Sequence, residues 1–246
     1  MFQTVFGTEK MTQDQPIAPF DWFANQFTIE GRAEFVARIG PHLASLFNHG
    51  DCVLDLCCGA GPVAFFLEER GAHVTGIDLA PSLIGMARQE AVRRHSQTEF
   101  IHANVLTHPL GNEVYELAVC LGNAILDFPH GSFPKFRDQV FQTLKTGGRF
   151  AIGYRDGLLR VADMSEPPEV VEQGSEGQIL RRFKEYDPAL GAYKMEYRHL
   201  SRNETFDYTG YVYTGPLIRI VMETRFEFEQ SIRLSEASFM DVYLKR

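Results

Sequence analysis

The sequence predicts an α/β fold, a mostly parallel sheet with helices on both faces and an antiparallel β insertion after the fifth strand. Three observations predict it. Short apolar runs alternate with helical patterns between residues 31 and 156, as repeated strand–helix–strand units require. The first strand run, Val53-Leu54-Asp55-Leu56, stops at a Gly59-Ala60-Gly61 turn and passes at once into a helical pattern. Beyond residue 177 the period changes to two, with tyrosines at alternating positions, which marks antiparallel strands.

Composition bounds the partners. The 246 residues suit one α/β domain with an insertion, and an apolar content of 44% supplies a sizeable core. A net charge of −8 argues against a nucleic-acid partner, because phosphate binding needs basic patches. The cysteines at positions 52, 57, 58 and 120 match no zinc spacing, so no metal is expected. Buried thiols, no signal-peptide pattern and no apolar run of membrane-spanning length lead us to expect a cytoplasmic protein without a membrane partner. Oligomeric state is left open, a homodimer included.

Taken in order, residues 1–30 form an N-terminal segment. Its polar start carries Pro16 and Pro19 and is expected to be loose. The aromatic stretch Phe20–Phe27 reads as a helix, either a lid over a crevice or a helix packed on the core. Residues 31–156 are the expected ligand-binding core. Phe35, Val36, Ile39, Leu43, Leu46 and Phe47 share one helical face. After the first strand, Gly59 and Gly61 let backbone approach a ligand that a Cβ would repel, and the following helix offers unpaired N–H groups. The second strand, Ala72–Ile77, ends in Asp78, 23 residues after Asp55. An acid at the second strand tip of a βαβ unit can hydrogen-bond two ribose hydroxyls, which implies a nucleoside ligand.

The remaining core elements follow the same rules. Pro81–Arg94 reads as a helix with proline in its first turn and basic residues at its end. Phe100–Ala103 is a third strand and Tyr115–Leu121 a fourth. Phe133–Leu144 is a helix closed by Lys145-Thr146-Gly147-Gly148, and Arg149–Tyr154 is the fifth strand. Residues 157–226 hold a lid loop (157–177) and an antiparallel meander of at least three strands. Its runs are Ile179–Tyr186, Tyr193–Leu200 and Thr205–Tyr213, with a turn at Asp187–Gly191. The meander's tyrosines suit a substrate-facing wall or a solvated sheet face. Residues 227–246 are expected to return to the core as a final helix and strand.

The pattern apolar-apolar-Asp55-x-Cys57-Cys58-Gly59-x-Gly61, with the acid of Asp78-Leu79-Ala80-Pro81, resembles the class I S-adenosylmethionine-dependent methyltransferases. Cys57 stands where that motif usually has its first glycine. The resemblance implies a Rossmann-like class I methyltransferase sheet with S-adenosyl-L-methionine as cofactor. It implies cofactor contacts at Asp55, Cys57, Gly59, Gly61, Asp78, Leu79, Leu121 and Asn123. Asn104 would meet the adenine amino group and Val105 would pack on the ring, although Asn104 also reads as a turn residue. The segments Cys120-Leu121-Gly122-Asn123 and Ile152-Gly153-Tyr154-Arg155-Asp156 resemble glycine and sarcosine N-methyltransferases. That implies a carboxylate-binding role for Arg155, which otherwise reads as a surface ion pair. Tyr193 and Tyr211 are the meander's candidates for substrate contact.

Methyl transfer from a sulfonium is an in-line displacement, so the protein mainly aligns the reactants and excludes water. A base is optional, and Asp127, His130 and Tyr154 stand near the crevice by position. The expected activity is methylation of a small molecule at an amine nitrogen. Two alternatives are O-methylation of a small metabolite and a non-catalytic binder of the same cofactor. A nicotinamide-dependent oxidoreductase is disfavoured by Asp55 within the strand.

Overall fold

The computed structural model describes residues 28–165, 169–174, 177–202 and 204–246. Helix α1 (Ala33–Leu43) precedes β1 (Cys52–Leu56), α2 (Pro62–Glu68), β2 (His73–Asp78), α3 (Pro81–Arg94), β3 (Glu99–His102) and β4 (Tyr115–Cys120). Two 3₁₀ turns, Ala124–Asp127 and His130–Ser132, lead to α4 (Phe133–Thr143) and β5 (Leu144–Arg155). The predicted Phe20–Phe27 helix lies outside the described residues.

Strands β3, β2, β1, β4 and β5 run parallel in that spatial order. Parallel strands covered on both faces need apolar side chains on both. Accordingly Leu54, Leu56, Cys120, Phe150 and Ile152 pack with Phe133, Phe136 and Val140 of α4. Val53, Leu117, Val119 and Ala151 point the other way, against Ile39 and Leu43 of α1, Phe65 of α2 and Ile84 of α3. Helix α3 has the predicted bounds: Pro81 opens it, and His95 closes it in the left-handed conformation at φ 55°.

The region after β5 departs from expectation in two places. Residues read as a lid loop form helix α5 (Gly157–Ser165) and strand β6 (Glu169–Gly174). The α5 start is capped by Asp156, whose Oδ1 accepts the N–H groups of Leu158 and Leu159. Strand β6 extends the meander of β7 (Gly177–Asp187), β8 (Ala192–His199) and β9 (Glu204–Tyr211) into a four-stranded antiparallel sheet. The predicted turn between β7 and β8 is there, with Asp187 Oδ1 accepting from Ala189 and Leu190.

The C-terminal expectation is corrected. The helix is α6 (Gly215–Met222), and the segment read as a final helix is strand β10 (Glu227–Arg233). Strand β11 (Ser238–Leu244) pairs antiparallel with β5 on one side and β10 on the other, completing seven strands. Phe228 packs on the α4 side of the sheet and Ile232 on the α1–α3 side, because the ladder with β11 shifts register between Phe228 and Gln230. Pairing with β11, a tertiary contact, decides for the strand.

Candidate active site

The carboxyl end of the parallel sheet is where its crevice opens. There the chain after β1 makes a tight turn with three left-handed residues, Cys57 at φ 58°, Gly59 at 58° and Gly61 at 87°. Asp78 staples this turn to β2. Its Oδ2 accepts the Gly59 N–H at 2.8 Å and its Oδ1 accepts the Ala80 N–H at 2.8 Å. Each oxygen retains a second lone pair, so the carboxylate can hold the turn and still accept from two ribose hydroxyls. Burial raises the Asp78 pKa against the opposing pull of backbone N–H groups at Ala80, Gly59 and Leu79. Gly61 serves packing as well as approach. A Cβ there would fall 2.7 Å from Phe100 Cζ and 2.9 Å from Phe65 Cε2.

Asp55 is 2% exposed in the middle of the sheet. Burial, with the nearby charge of Asp78, pushes its carboxyl up to about 8, and the Ala64 N–H in the first turn of α2 opposes the rise. Its Oδ2 is buried and has no hydrogen-bond partner in the structure. A buried carboxylate oxygen left open in this way fits a cationic or N–H donor from a ligand. Together with the lone pairs on Asp78 and the glycine turn, it makes the donor set fit S-adenosylmethionine, whose ribose and ammonium groups need such acceptors.

The other expected cofactor contacts surround this turn. Asn104 follows β3, where Ala103 N–H donates to Asp78 O. Its Oδ1 accepts from Leu106 N at 2.8 Å, so Asn104 shapes the turn and presents its amide NH₂ for other partners. Val105 and Leu121 are buried, and Leu79 is exposed. Asn123 adopts φ 70° and starts the 3₁₀ turn that carries Asp127.

Across the crevice, Asp127 meets a residue that sequence reading did not single out. Tyr208 of β9 donates its hydroxyl to Asp127 Oδ1 at 2.6 Å. Burial pushes the Asp127 carboxyl up to about 6, while the Tyr208 bond and the charge of Arg160 restrain it and that of Asp78 adds to it. Arg160, on α5, donates Nε–H to Tyr193 Oη at 2.9 Å. Tyr193 is fully buried, so it supports Arg160 and offers no surface to a substrate. The bonded pairs lie 81 and 33 residues apart in the chain. The only local hint was the tyrosine content of β8 and β9.

Three other expected residues take structural positions. His130 sets Nε2 2.9 Å from Val212 O and Nδ1 3.2 Å from Leu190 O, clipping the 3₁₀ turn to the meander. Its ring also lies edge-on to Tyr211, 5.7 Å between centroids, which places Tyr211 behind the clip. Tyr154 is buried, stacks on Phe239 at 5.7 Å and donates to Asp241 Oδ2 at 3.4 Å. Burial and the Asp241 charge raise its pKa, so it is a poor proton acceptor in this position. Arg155 follows Tyr154 in β5, and strand alternation sends it to the opposite face of the sheet. Ala151 packs on that face, toward α1–α3, and a Cβ on Gly153 would meet Leu121 of the same cluster. The Arg155 Cβ leaves the sheet on the face opposite the one that packs Tyr154 with the 3₁₀ turn.

Residues 53–148 match a family model described as "Methyltransferase domain". Over those residues the chain is similar to methyltransferase domains. It is 31% identical over 142 residues to a demethylmenaquinone methyltransferase of Thermus thermophilus, covering 56% of this chain and 57% of that one. It is 34% identical over 137 residues to the erythromycin 3''-O-methyltransferase of Saccharopolyspora erythraea, covering 54% and 44%. The chain thus spans about half the length of these curated relatives. Among solved structures, the PH0226 protein of Pyrococcus horikoshii superposes with a TM-score of 0.75 at 20% identity, covering 94% of this chain and 97% of that one. The CcbJ methyltransferase of Streptomyces caelestis gives 0.70 at 16% identity, covering 85% and 88%. At these identities the structural likeness speaks for the methyltransferase fold, insertion included. Among the described residues, no group of three or more His, Cys, Asp or Glu is placed to hold a metal ion. No helix there is long and apolar enough to cross a membrane.

Proposed function

We propose that this protein transfers a methyl group from S-adenosylmethionine to a small molecule, and that the accepting atom is an amine nitrogen. When bound, the cofactor supplies a methyl already activated on its sulfonium. Asp78 holds the ribose, Asn104 and Val105 border the adenine, and Asp55 faces the cationic end. The acidic charge of the chain supports a small-molecule acceptor over a nucleic acid, and we place the protein in the cytoplasm.

Asp127 is the observation that carries the reading. It is a half-buried carboxyl pushed up to about 6, aimed by Tyr208, and placed just beyond the end of β4 within the electrostatic reach of Asp78. An alkyl amine arrives protonated at neutral pH and has no lone pair to attack with. A carboxylate with this pKa is ionised there and can take that proton.

A hydroxyl acceptor is the second reading, favoured by the O-methyltransferase among the relatives. Asp127 would then serve as a base toward oxygen. Calorimetry with S-adenosylmethionine tests the cofactor half. Transfer of tritium from the methyl-labelled cofactor into a small-metabolite pool, with the labelled product identified by mass, tests the rest. Cofactor binding with no labelled product would reduce the protein to a binder of S-adenosylmethionine.

A further inference from the structure

We propose that Cys57 and Cys120 are a redox pair that peroxide closes into a disulfide, weakening the binding of S-adenosylmethionine. This rests on the cofactor half of the function proposed above and adds its regulation. Cys120 ends β4 and stands opposite Leu56, which ends β1; Cys57 is the next residue. Neighbouring strands lie about 4.8 Å apart and successive residues about 3.3 Å. The two Cα atoms are therefore about 6 Å apart, inside the range of about 4.4–6.8 Å that a disulfide spans. Strand alternation alone would send Cys57 to the face opposite Leu56. Its left-handed backbone at φ 58° turns it back, and Cys57 packs against the cluster that holds Leu56 and Cys120. The side chains of the two cysteines interact directly. A residue with a Cβ rarely takes this conformation, and strain of this kind gathers at functional sites.

The other cysteines are placed apart. Cys58 packs in the opposite cluster, its sulfur 3.0 Å from where a Cβ on Gly76 would stand, and Cys52 opens β1 at its far end. Cys57 is partly exposed and Cys120 fully buried, and both thiols are free. That suits an attacking thiol with a resolving one behind it. The Cys57 sulfur, having given up its proton, attacks one oxygen of hydrogen peroxide. The O–O bond breaks, the other oxygen leaves as water, and Cys57 becomes a sulfenic acid. The Cys120 sulfur then displaces that hydroxyl. The S–S bond forms, and the hydroxyl leaves with the Cys120 proton as a second water. The Cys120 contact, burial and the charges of Asp78 and Asp127 raise the Cys57 pKa, so the reduced pair is stable at neutral pH and its oxidation quickens as pH rises. Closure draws the two sulfurs to about 2.05 Å and pulls the turn toward β4. Gly59, two residues on, is clasped by Asp78 Oδ2 at 2.8 Å. A pull on Cys57 therefore shifts the turn against the carboxylate proposed to hold the ribose.

The test treats the full chain with hydrogen peroxide, blocks the remaining thiols and maps a non-reduced tryptic digest by mass. The expected product is a Cys57–Cys120 cross-link, its sulfurs located by fragmentation, that disappears with dithiothreitol. By calorimetry, the oxidised protein should bind S-adenosylmethionine roughly tenfold or more weakly, as the loss of one charge-assisted bond would do, and reduction should restore the affinity. Cys120→Ala should bind the cofactor as wild type does and keep that affinity after peroxide. Should Cys120→Ala fold poorly, Cys120→Ser keeps the volume and gives the same two readings. A cross-link through Cys52 or Cys58 instead, or no cross-link, overturns the inference, as does a Cys57–Cys120 disulfide that leaves the affinity unchanged. An equal loss of affinity in peroxide-treated Cys120→Ala also overturns it, because oxidation would then act without the pair. A reduced protein that does not bind S-adenosylmethionine is told apart because it needs no oxidant; it removes the proposed function, and the inference with it.

Discussion

Asp78 and Asp127 are two carboxylates at the same end of one sheet, and they are held in different ways. Asp78 is gripped by backbone, through the N–H groups of residues 19 positions before it and 2 after. Asp127 is gripped by a side chain from β9, 81 residues downstream, and is tuned by the charge of Arg160 on α5. A backbone clasp fixes a carboxylate in place and suits a part of the ligand that never changes. A side-chain clasp allows the chemistry to vary with the residues of the inserted sheet. On the proposed function, the same parallel scaffold would present a fixed cofactor end and a replaceable acceptor wall.

Asp127→Asn should break the acceptor half most severely. The amide cannot accept the amine's proton, so kcat should fall by roughly 10²–10⁴-fold. Cofactor affinity measured by calorimetry should stay within about twofold, because no backbone of the turn rests on Asp127. A matching loss of cofactor binding would mean that the two halves are one site energetically, and the comparison would fail.

Asp78→Ala should do the converse. It removes the acceptors for two hydroxyls and leaves Gly59 and Ala80 N–H groups without their partner. Charge-assisted bonds are worth about 1.5–3 kcal/mol each, so affinity for S-adenosylmethionine should drop at least roughly 100-fold. Unchanged affinity would remove Asp78 from the cofactor site.

The asymmetry explains what the sequence disclosed. Asp55, Gly59, Gly61 and Asp78 lie within 24 residues, so strand, turn and helix signals locate them without tertiary knowledge. The bounds of α3 were legible because its start and stop, Pro81 and the basic end before His95, are local signals. Arg160 and Tyr208 were not legible, because nothing near either in sequence says that α5 and β9 meet over the 3₁₀ turn. Helix α5 and strand β6 were hidden by glycines and prolines that bracket them closely and read as one loop. Tyr154 and His130 show the limit of placement by position: both lie near the crevice, and both are committed to neighbours.

The meander can be loosened without touching either carboxylate. Gly191 adopts φ +60°, and a Cβ there would fall 2.7 Å from His130 Cε1. Gly191→Ala adds backbone strain and pushes His130 off the carbonyls of Leu190 and Val212. Stability in urea should fall by about 1–3 kcal/mol. Cofactor affinity at a temperature where the protein is folded should be unchanged, since the clip joins the insertion to the core away from the Asp78 turn.

The smallest expected effect isolates the Tyr208 bond. The hydroxyl stabilises ionised Asp127 and so lowers a pKa that burial has raised to about 6. Tyr208→Phe removes that restraint, and the Asp127 pKa should move further up. Arg160 from α5 still lowers it and Asp78 from β2 still raises it, and neither is altered. On the proposed function transfer requires ionised Asp127, so activity should be lost as pH falls through this pKa. The acidic limb should therefore shift to higher pH in the variant, with at most about a tenfold deficit at pH 6. The deficit should close by pH 9, where both enzymes are ionised. Stability follows the same sign. A folded pKa above the unfolded value contributes stability that is complete below about pH 4 and is lost as pH rises through about 6, and the variant should keep it to higher pH. Carbon-13 NMR of the Asp127 carboxyl, assigned by its absence in Asp127→Asn, reads the pKa without any acceptor present. A titration that does not move, or moves down, would show that Tyr208 does not act through Asp127. The acceptor wall would then be as fixed as the cofactor end.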